Sequence, residues 1–157
     1  MKHGHLRQAG WQDKELLYRW RNDSAVRAAS FQSAAISVAE HEAWFRAKLE
    51  GADSSIYILE IEKEPAGQAR LDRRDGAAYI SYSISGSFRG QGYGKLLLQL
   101  LENEAAKESL VLVGQVKKDN VASQVIFQSL GYEEREAKDF FEYRKRAMKC
   151  YQKQGSS

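Results

Sequence analysis

The 157-residue chain carries 24 Lys and Arg against 21 Asp and Glu, a net charge of +3, with one cysteine, Cys150, and one proline, Pro65. This length suits a single domain that buries roughly two-thirds of its unfolded surface; one cysteine excludes an intrachain disulfide framework and fits a reducing compartment, and so mild a charge does not announce nucleic acid. No apolar run approaches the roughly 18 residues of a membrane span, and Met1-Lys2-His3-Gly4-His5 lacks a hydrophobic signal region, so a soluble, cytoplasmic protein bound to neither membrane nor nucleic acid is expected.

In chain order, Leu6 to Ala9 reads as a short strand. Asp13 stands where an N-cap would open a helix through about Asn22, with Leu16, Leu17 and Trp20 on its apolar face. Ser37 and Glu40 form a capping box for a helix from about Val38 to Leu49, whose buried side would be Ala43, Trp44, Ala47 and Leu49. Three strands follow, Ser55 to Ile61, Ala66 to Asp72 and Ala77 to Ser85, parted by the turn residues Glu64-Pro65 and Asp75-Gly76. In the third, Tyr79, Ser81, Ser83 and Ser85 alternate with Ile80, Tyr82 and Ile84. One face is thus mostly small hydroxyls, where a central strand would be apolar on both; a solvated face explains the pattern equally well.

A glycine turn leads into a helix over roughly Tyr93 to Lys107, and Leu110 to Val116 reads as a buried strand. Asp119 or Asn120 caps the next helix, with Val121, Val125 and Ile126 as its apolar stripe and Gly131 as the residue that ends it. Tyr132 to Arg135 and Phe140 to Arg146 are the last strands. Lys138, Arg144, Lys145, Arg146, Lys149 and Lys153 read as a solvated basic strand and a partly flexible tail from about residue 147. The order β-α-α-β-β-β-α-β-α-β-β describes one α/β domain over residues 1–157.

The turn itself, Arg89-Gly90-Gln91-Gly92-Tyr93-Gly94-Lys95, has the makings of a phosphate cradle. Gly90, Gly92 and Gly94 can take positive φ and turn several N–H groups inward, while the following helix adds free donors and the positive end of its dipole. Arg89 and Lys95 bracket the turn with charge. A P-loop is excluded because the residue five before Gly94 is Arg89 and Lys95 is followed by Leu96. A dinucleotide fingerprint is excluded by its Gly-x-Gly-x-Gly spacing and by Val113-Gly114-Gln115 where an acidic residue would stand.

Arg89 to Gly94 resembles the acetyl-coenzyme A pyrophosphate loop of the GNAT superfamily of N-acetyltransferases. Asp119 to Tyr132 is similar to that family's later helix, with its Asn, a small residue three on, an aromatic four further and Leu-Gly-aromatic to finish. The resemblance implies a GNAT fold, a mixed central sheet of about seven strands flanked by about four helices. It implies acetyl-CoA as co-substrate and no metal, with Ser83, Ile84, Arg89, Gly90, Gln91, Gly92, Tyr93, Gly94, Lys95, Asn120, Ser123 and Phe127 on the coenzyme. Backbone around Tyr82 to Ile84 would pair with the pantetheine arm as an added strand.

The implied chemistry is direct attack of an amine on the thioester, with backbone N–H groups meeting the developing oxyanion. Cys150 is a bystander in that scheme. His41, Gln115 and Tyr82 are the catalytic candidates, and Glu60 is a further candidate base. Phe127 departs from the pattern, since many members carry there a Tyr that can protonate the departing thiolate. The N-terminal third resembles acetyltransferases of nucleotide-linked amino sugars, most nearly those of the pseudaminic-acid pathway. This implies a small-molecule acceptor, a nucleotide sugar, held by Arg21, Asn22, Arg27, Phe31 and Trp44, with Trp20 as a further stacking surface. A protein or peptide N-terminal acetyltransferase and a coenzyme A-binding regulator without turnover are the rival expectations, and a homodimer is compatible with the chain.

Overall fold

The computed structural model of the chain describes residues 3–148. Its strands are β1 (Gly4–Gln8), β2 (Ser54–Ile61), β3 (Glu64–Arg74), β4 (Ala77–Ile84), β5 (Val111–Lys117), β6 (Glu133–Glu136) and β7 (Phe140–Arg146). Its helices are α1 (Lys14–Asn22), α2 (Ser24–Ala29), α3 (Val38–Glu50), α4 (Tyr93–Ala106) and α5 (Val121–Ser129). The seven strands form one mixed sheet in the order β1-β2-β3-β4-β5-β7-β6, in which β4 and β5 are the parallel pair. Helix α4 supplies the crossover that a parallel pair requires.

That pair governs everything around it. β4 and β5 run in register only from Ala77–Val111 to Ile80–Gly114. Beyond this point β4 continues to Ile84 on β3 alone, and β5 continues to Lys117 on β7 alone. The sheet therefore splays open at its centre.

Strand alternation sends Tyr57, Leu59, Ala69, Leu71 and Ala78 into the main core with Leu97, Leu98 and Leu101 of α4. Ile56 and Ile58 face the other way, onto Leu17 of α1 and Phe45 of α3. Within the main core, fully buried Glu102 is matched by Lys145 at 3.1 Å, and Lys145 also donates to the Leu130 carbonyl at 2.7 Å. Gly114 and Phe127 fit each other closely: a Cβ at Gly114 would overlap the Phe127 ring, which stacks on Tyr143 at 5.1 Å.

The expected order gains one helix, α2, six residues long and capped by Asp23, whose carboxylate accepts from Ala25 and Val26 N–H. So short an element has no period to read. Several local expectations are corrected. The buried residues of α3 are His41 and Phe45, while Ala43 and Ala47 are exposed. Asp13 does not cap α1 through its side chain but binds Arg7 at 2.8 and 2.9 Å and the Gly10 N–H at 2.8 Å. Val121 and Val125 are exposed, and α5 buries Ser123 and Phe127 instead. The β2–β3 turn is made by Glu62 and Lys63 at positive φ, with Pro65 inside β3 beside a register shift that spares its missing donor. Cys150, Lys149, Lys153 and most of the expected tail lie outside the described residues.

Candidate active site

One cavity of about 870 Å³ occupies the splay between β4 and β5 and reaches from the glycine turn to α1 and α3. At the turn, Gly90 and Gly92 have φ of 74° and 86°, in the left-handed region that favours glycine. Gly94 is helical instead. Its value is close packing, because a Cβ there would stand 2.9 Å from Ile126 Cδ1. Gly92 is the N-cap of the 14-residue α4, so the first N–H groups of that helix open toward the turn.

Arg89 lines the cavity, but its side chain is engaged: Nε donates to the Ile84 carbonyl and Nη2 to Asp23, each at 2.9 Å. Asp23 is held below the usual carboxylate range, first by Arg89 and then by the Val26 N–H. One carboxylate thus joins the start of α2 to the glycine turn. Gln91 and Lys95 are exposed and stand off the cavity wall, with Gln91 bonded to the Ser87 carbonyl at 3.1 Å. Ser83, Ile84, Tyr93, Asn120, Ser123 and Phe127 all line the cavity. Asn120 caps α5 at Ser123 N–H, and the Ser123 hydroxyl meets Tyr82 Oη at 2.6 Å. Burial pushes the Tyr82 phenol up, so it keeps its proton at neutral pH.

The other half of the cavity is aromatic. Trp20, Phe31, Trp44 and His41 line it, and Phe31 meets Phe140 edge-on at 5.7 Å. His41 is 2% exposed, packed among Tyr18, Trp44 and Phe45 at 5.5 to 5.9 Å, and among the described residues its Nδ1 has no hydrogen-bond partner. Burial first, and then the charge of Arg21, pulls its pKa below 6.5, with Glu42 opposing. The imidazole is therefore neutral at pH 7.

Arg21, Asn22 and Arg27 are placed to hold chain rather than to point into the cavity. Arg21 donates to the carbonyls of Gln32 and Ala34, Arg27 to that of Ser33, and Asn22 exchanges two bonds with the Ile36 backbone. Only Arg21 of the three lines the cavity. Lys117 Nζ reaches the Ala28 carbonyl at 3.1 Å, so the segment between α1 and α3 roofs the splay. Gln115 lines the cavity and donates to Glu142 at 3.4 Å; Glu60 lies elsewhere, paired with Arg7 on β1.

Sequence reasoning missed the floor. Gln68 and Arg70 of β3 lie opposite Ser83 and Ser81 of β4, and all four line the cavity. The serine face of β4 is this floor. Among the described residues, no group of three or more His, Cys, Asp or Glu is placed to hold a metal ion, and no helix is long and apolar enough to cross a membrane.

Positive-φ glycines, a helix N-terminus and two strand edges facing a gap together fit a diphosphate with an amide-bearing arm. Among solved structures, a spermidine N-acetyltransferase from Vibrio cholerae in complex with CoA and spermine superposes with a TM-score of 0.80 at 15% identity, over 90% of this chain and 92% of that one. An aminoglycoside acetyltransferase in complex with coenzyme A gives 0.79 at 18%, over 92% and 95%, and a ribosomal α-N-protein acetyltransferase in complex with coenzyme A gives 0.78 at 20%, over 90% and 92%. No curated protein gives a significant sequence match. The family model for the acetyltransferase (GNAT) domain matches residues 5–133, and the chain belongs to that family of acetyl-CoA-dependent N-acetyltransferases.

Proposed function

We propose that the protein acetylates the primary amine of a nucleotide-linked amino sugar, of the kind used in surface glycan synthesis. The observation that carries this reading is the charge of the cavity: among the described residues Arg21, Arg70 and Arg89 line it, and no Asp or Glu does. A polyamine needs carboxylates; a sugar carrying phosphates needs cations and stacking surfaces. Trp20, Trp44 and Phe31 supply the surfaces, and the Gln68, Ser81 and Ser83 side chains supply hydrogen bonds for hydroxyl groups. In this scheme Arg21, Asn22 and Arg27 act by shaping the roof above the acceptor.

Acetyl-CoA supplies an activated acetyl thioester. The residues of the chain do the rest. Gly90, Gly92 and the first turn of α4 hold the diphosphate, and backbone N–H groups near Ser83 and Ile84 face the thioester oxygen. His41, neutral and buried, accepts the amine proton at an imidazole nitrogen. A sugar amine flanked by electron-withdrawing oxygens is less basic than lysine, at about 10.4, so a weak base suffices. Tyr82 offers its phenolic proton to the leaving sulfur, the Ser123 hydroxyl relays a replacement proton to it from solvent in the cavity, and Gln115 positions a water. Phe127 acts as a buried wall.

The test is product mass after incubation of the full chain with acetyl-CoA and, separately, a nucleoside-diphosphate amino sugar, a peptide with a free N-terminus, and spermidine. A gain of one acetyl group on the nucleotide sugar is expected. Exclusive acetylation of the peptide would replace this acceptor with a polypeptide N-terminus, and coenzyme binding without turnover on any amine would make the protein a regulator.

A further inference from the structure

We propose that Arg70, set into the sheet floor, is the receptor for an oxyanion carried by the acceptor, a carboxylate or a phosphate, and so decides which amines are accepted. This rests on the acceptor chamber described above and adds to it the feature that selects among amines.

Three arginines line the cavity, and two are already committed. Arg21 is bonded to the carbonyls of Gln32 and Ala34, and Arg89 to Ile84 and Asp23. Arg70 is different. Its Nε donates to Asp72 at 2.8 Å and its Nη2 to the Ser81 hydroxyl at 3.1 Å, which fixes the guanidinium in place. Trp44 covers one of its faces, 5.0 Å from the ring centroid. Among the described residues Nη1 has no hydrogen-bond partner, so one edge of the fork remains available in a cavity without carboxylates.

Asp72 does not cancel this charge. It also takes Lys48 at 3.0 Å and the Ser54 hydroxyl at 2.6 Å, so two cations share one carboxylate. Burial opposes its ionisation, but the bonds from Ser54, Arg70 and Lys48 prevail and hold it at about 2. Arg70 is thereby braced throughout the working pH range. A guanidinium stacked on an indole, oriented from behind by a carboxylate and open along one edge, is built for a carboxylate or phosphate oxyanion rather than for packing.

The experiment compares matched acceptors with the full chain: D-glucosamine, its 6-phosphate, and 2-amino-2-deoxy-D-gluconate, which carries a carboxylate. Peptides beginning with Ala or Glu form a second series. With the wild-type chain, kcat/KM is expected to favour an anion-bearing member over its neutral counterpart by about tenfold or more. In Arg70→Gln, KM for that member should rise about 10- to 100-fold, with kcat, the neutral acceptor and the acetyl-CoA Kd little changed; Arg70→Lys should recover part of the loss. Ser81→Ala, which keeps the charge and removes one brace, should give a smaller rise and guards against misfolding of the Arg70 variants. Equal losses on neutral and anionic acceptors, or none on either, would overturn the proposal. The phosphate and carboxylate arms identify the oxyanion. Arg70-dependent preference among peptides with no turnover of sugars would keep this site and remove the sugar reading; sugar turnover indifferent to charge and to Arg70 would do the reverse.

Discussion

Substituting Gly90 tests the phosphate turn against a control inside the same molecule. Gly90 has φ of 74°, and among the described residues an added Cβ meets nothing within 4 Å. Gly76, in the β3–β4 turn, has φ of 77° and is equally open. An alanine at either position therefore pays only for a left-handed backbone, about 1–2 kcal/mol. For a chain of this length that is a fall in Tm of roughly 2–8 °C. The two variants should thus melt alike and bind differently. Gly90→Ala pulls the turn toward negative φ and misdirects N–H groups that meet a charged phosphate, each worth about 1.5–3 kcal/mol, so coenzyme A affinity should fall about 10- to 100-fold. Gly76→Ala should leave it unchanged. Thermal melts and calorimetric titration with coenzyme A decide the matter. If both variants bind with wild-type affinity despite lowered Tm, the turn is a mere connection and the cofactor assignment fails.

His41→Gln should lower kcat by about 10²-fold and abolish the acidic limb of the pH–rate profile. That limb is expected below pH 6.5, because a depressed pKa keeps the base neutral until the pH falls through it; a wild-type limb at higher pH would contradict the desolvated environment. Tyr82→Phe should cost about 10²-fold in kcat with coenzyme affinity intact, and an unaffected rate would send the proton to another source. Phe127→Tyr should not raise kcat. Its hydroxyl would be forced against Gly114 in a buried ring stack, at a cost of about 1–3 kcal/mol in urea unfolding, and a faster enzyme would show that the ring turns toward the reacting atoms.

What the sequence disclosed followed the range of each interaction. The glycine turn and the Asn120 cap are local, with every atom that matters within a few residues, and their spacing announced them. Arg70 could not be found this way. Its partners are Ser81 and Trp44, brought to it by sheet register and by the docking of α3, and neither distance is written in the period of any one element. The buried side of α3 is hidden from its sequence for a related reason. The apolar pattern points to Ala43, Trp44, Ala47 and Leu49 as its buried side, whereas His41 and Phe45, four residues apart, are the buried pair and pack ring against ring. Arg21 and Arg27 read as ligands for phosphate because their charge was visible while the carbonyls of residues 32–34 that engage them were not.

A sheet whose middle strands part company after Ile80 and Gly114 carries its unzipped borders along the walls of a cavity rather than at its outer rim. A slender thread with amides but few branches can enter. The same parting that opens the molecule to its cofactor leaves unpaired strand borders in mid-sheet, and a mutation that widened the gap would offer them to a second chain as well.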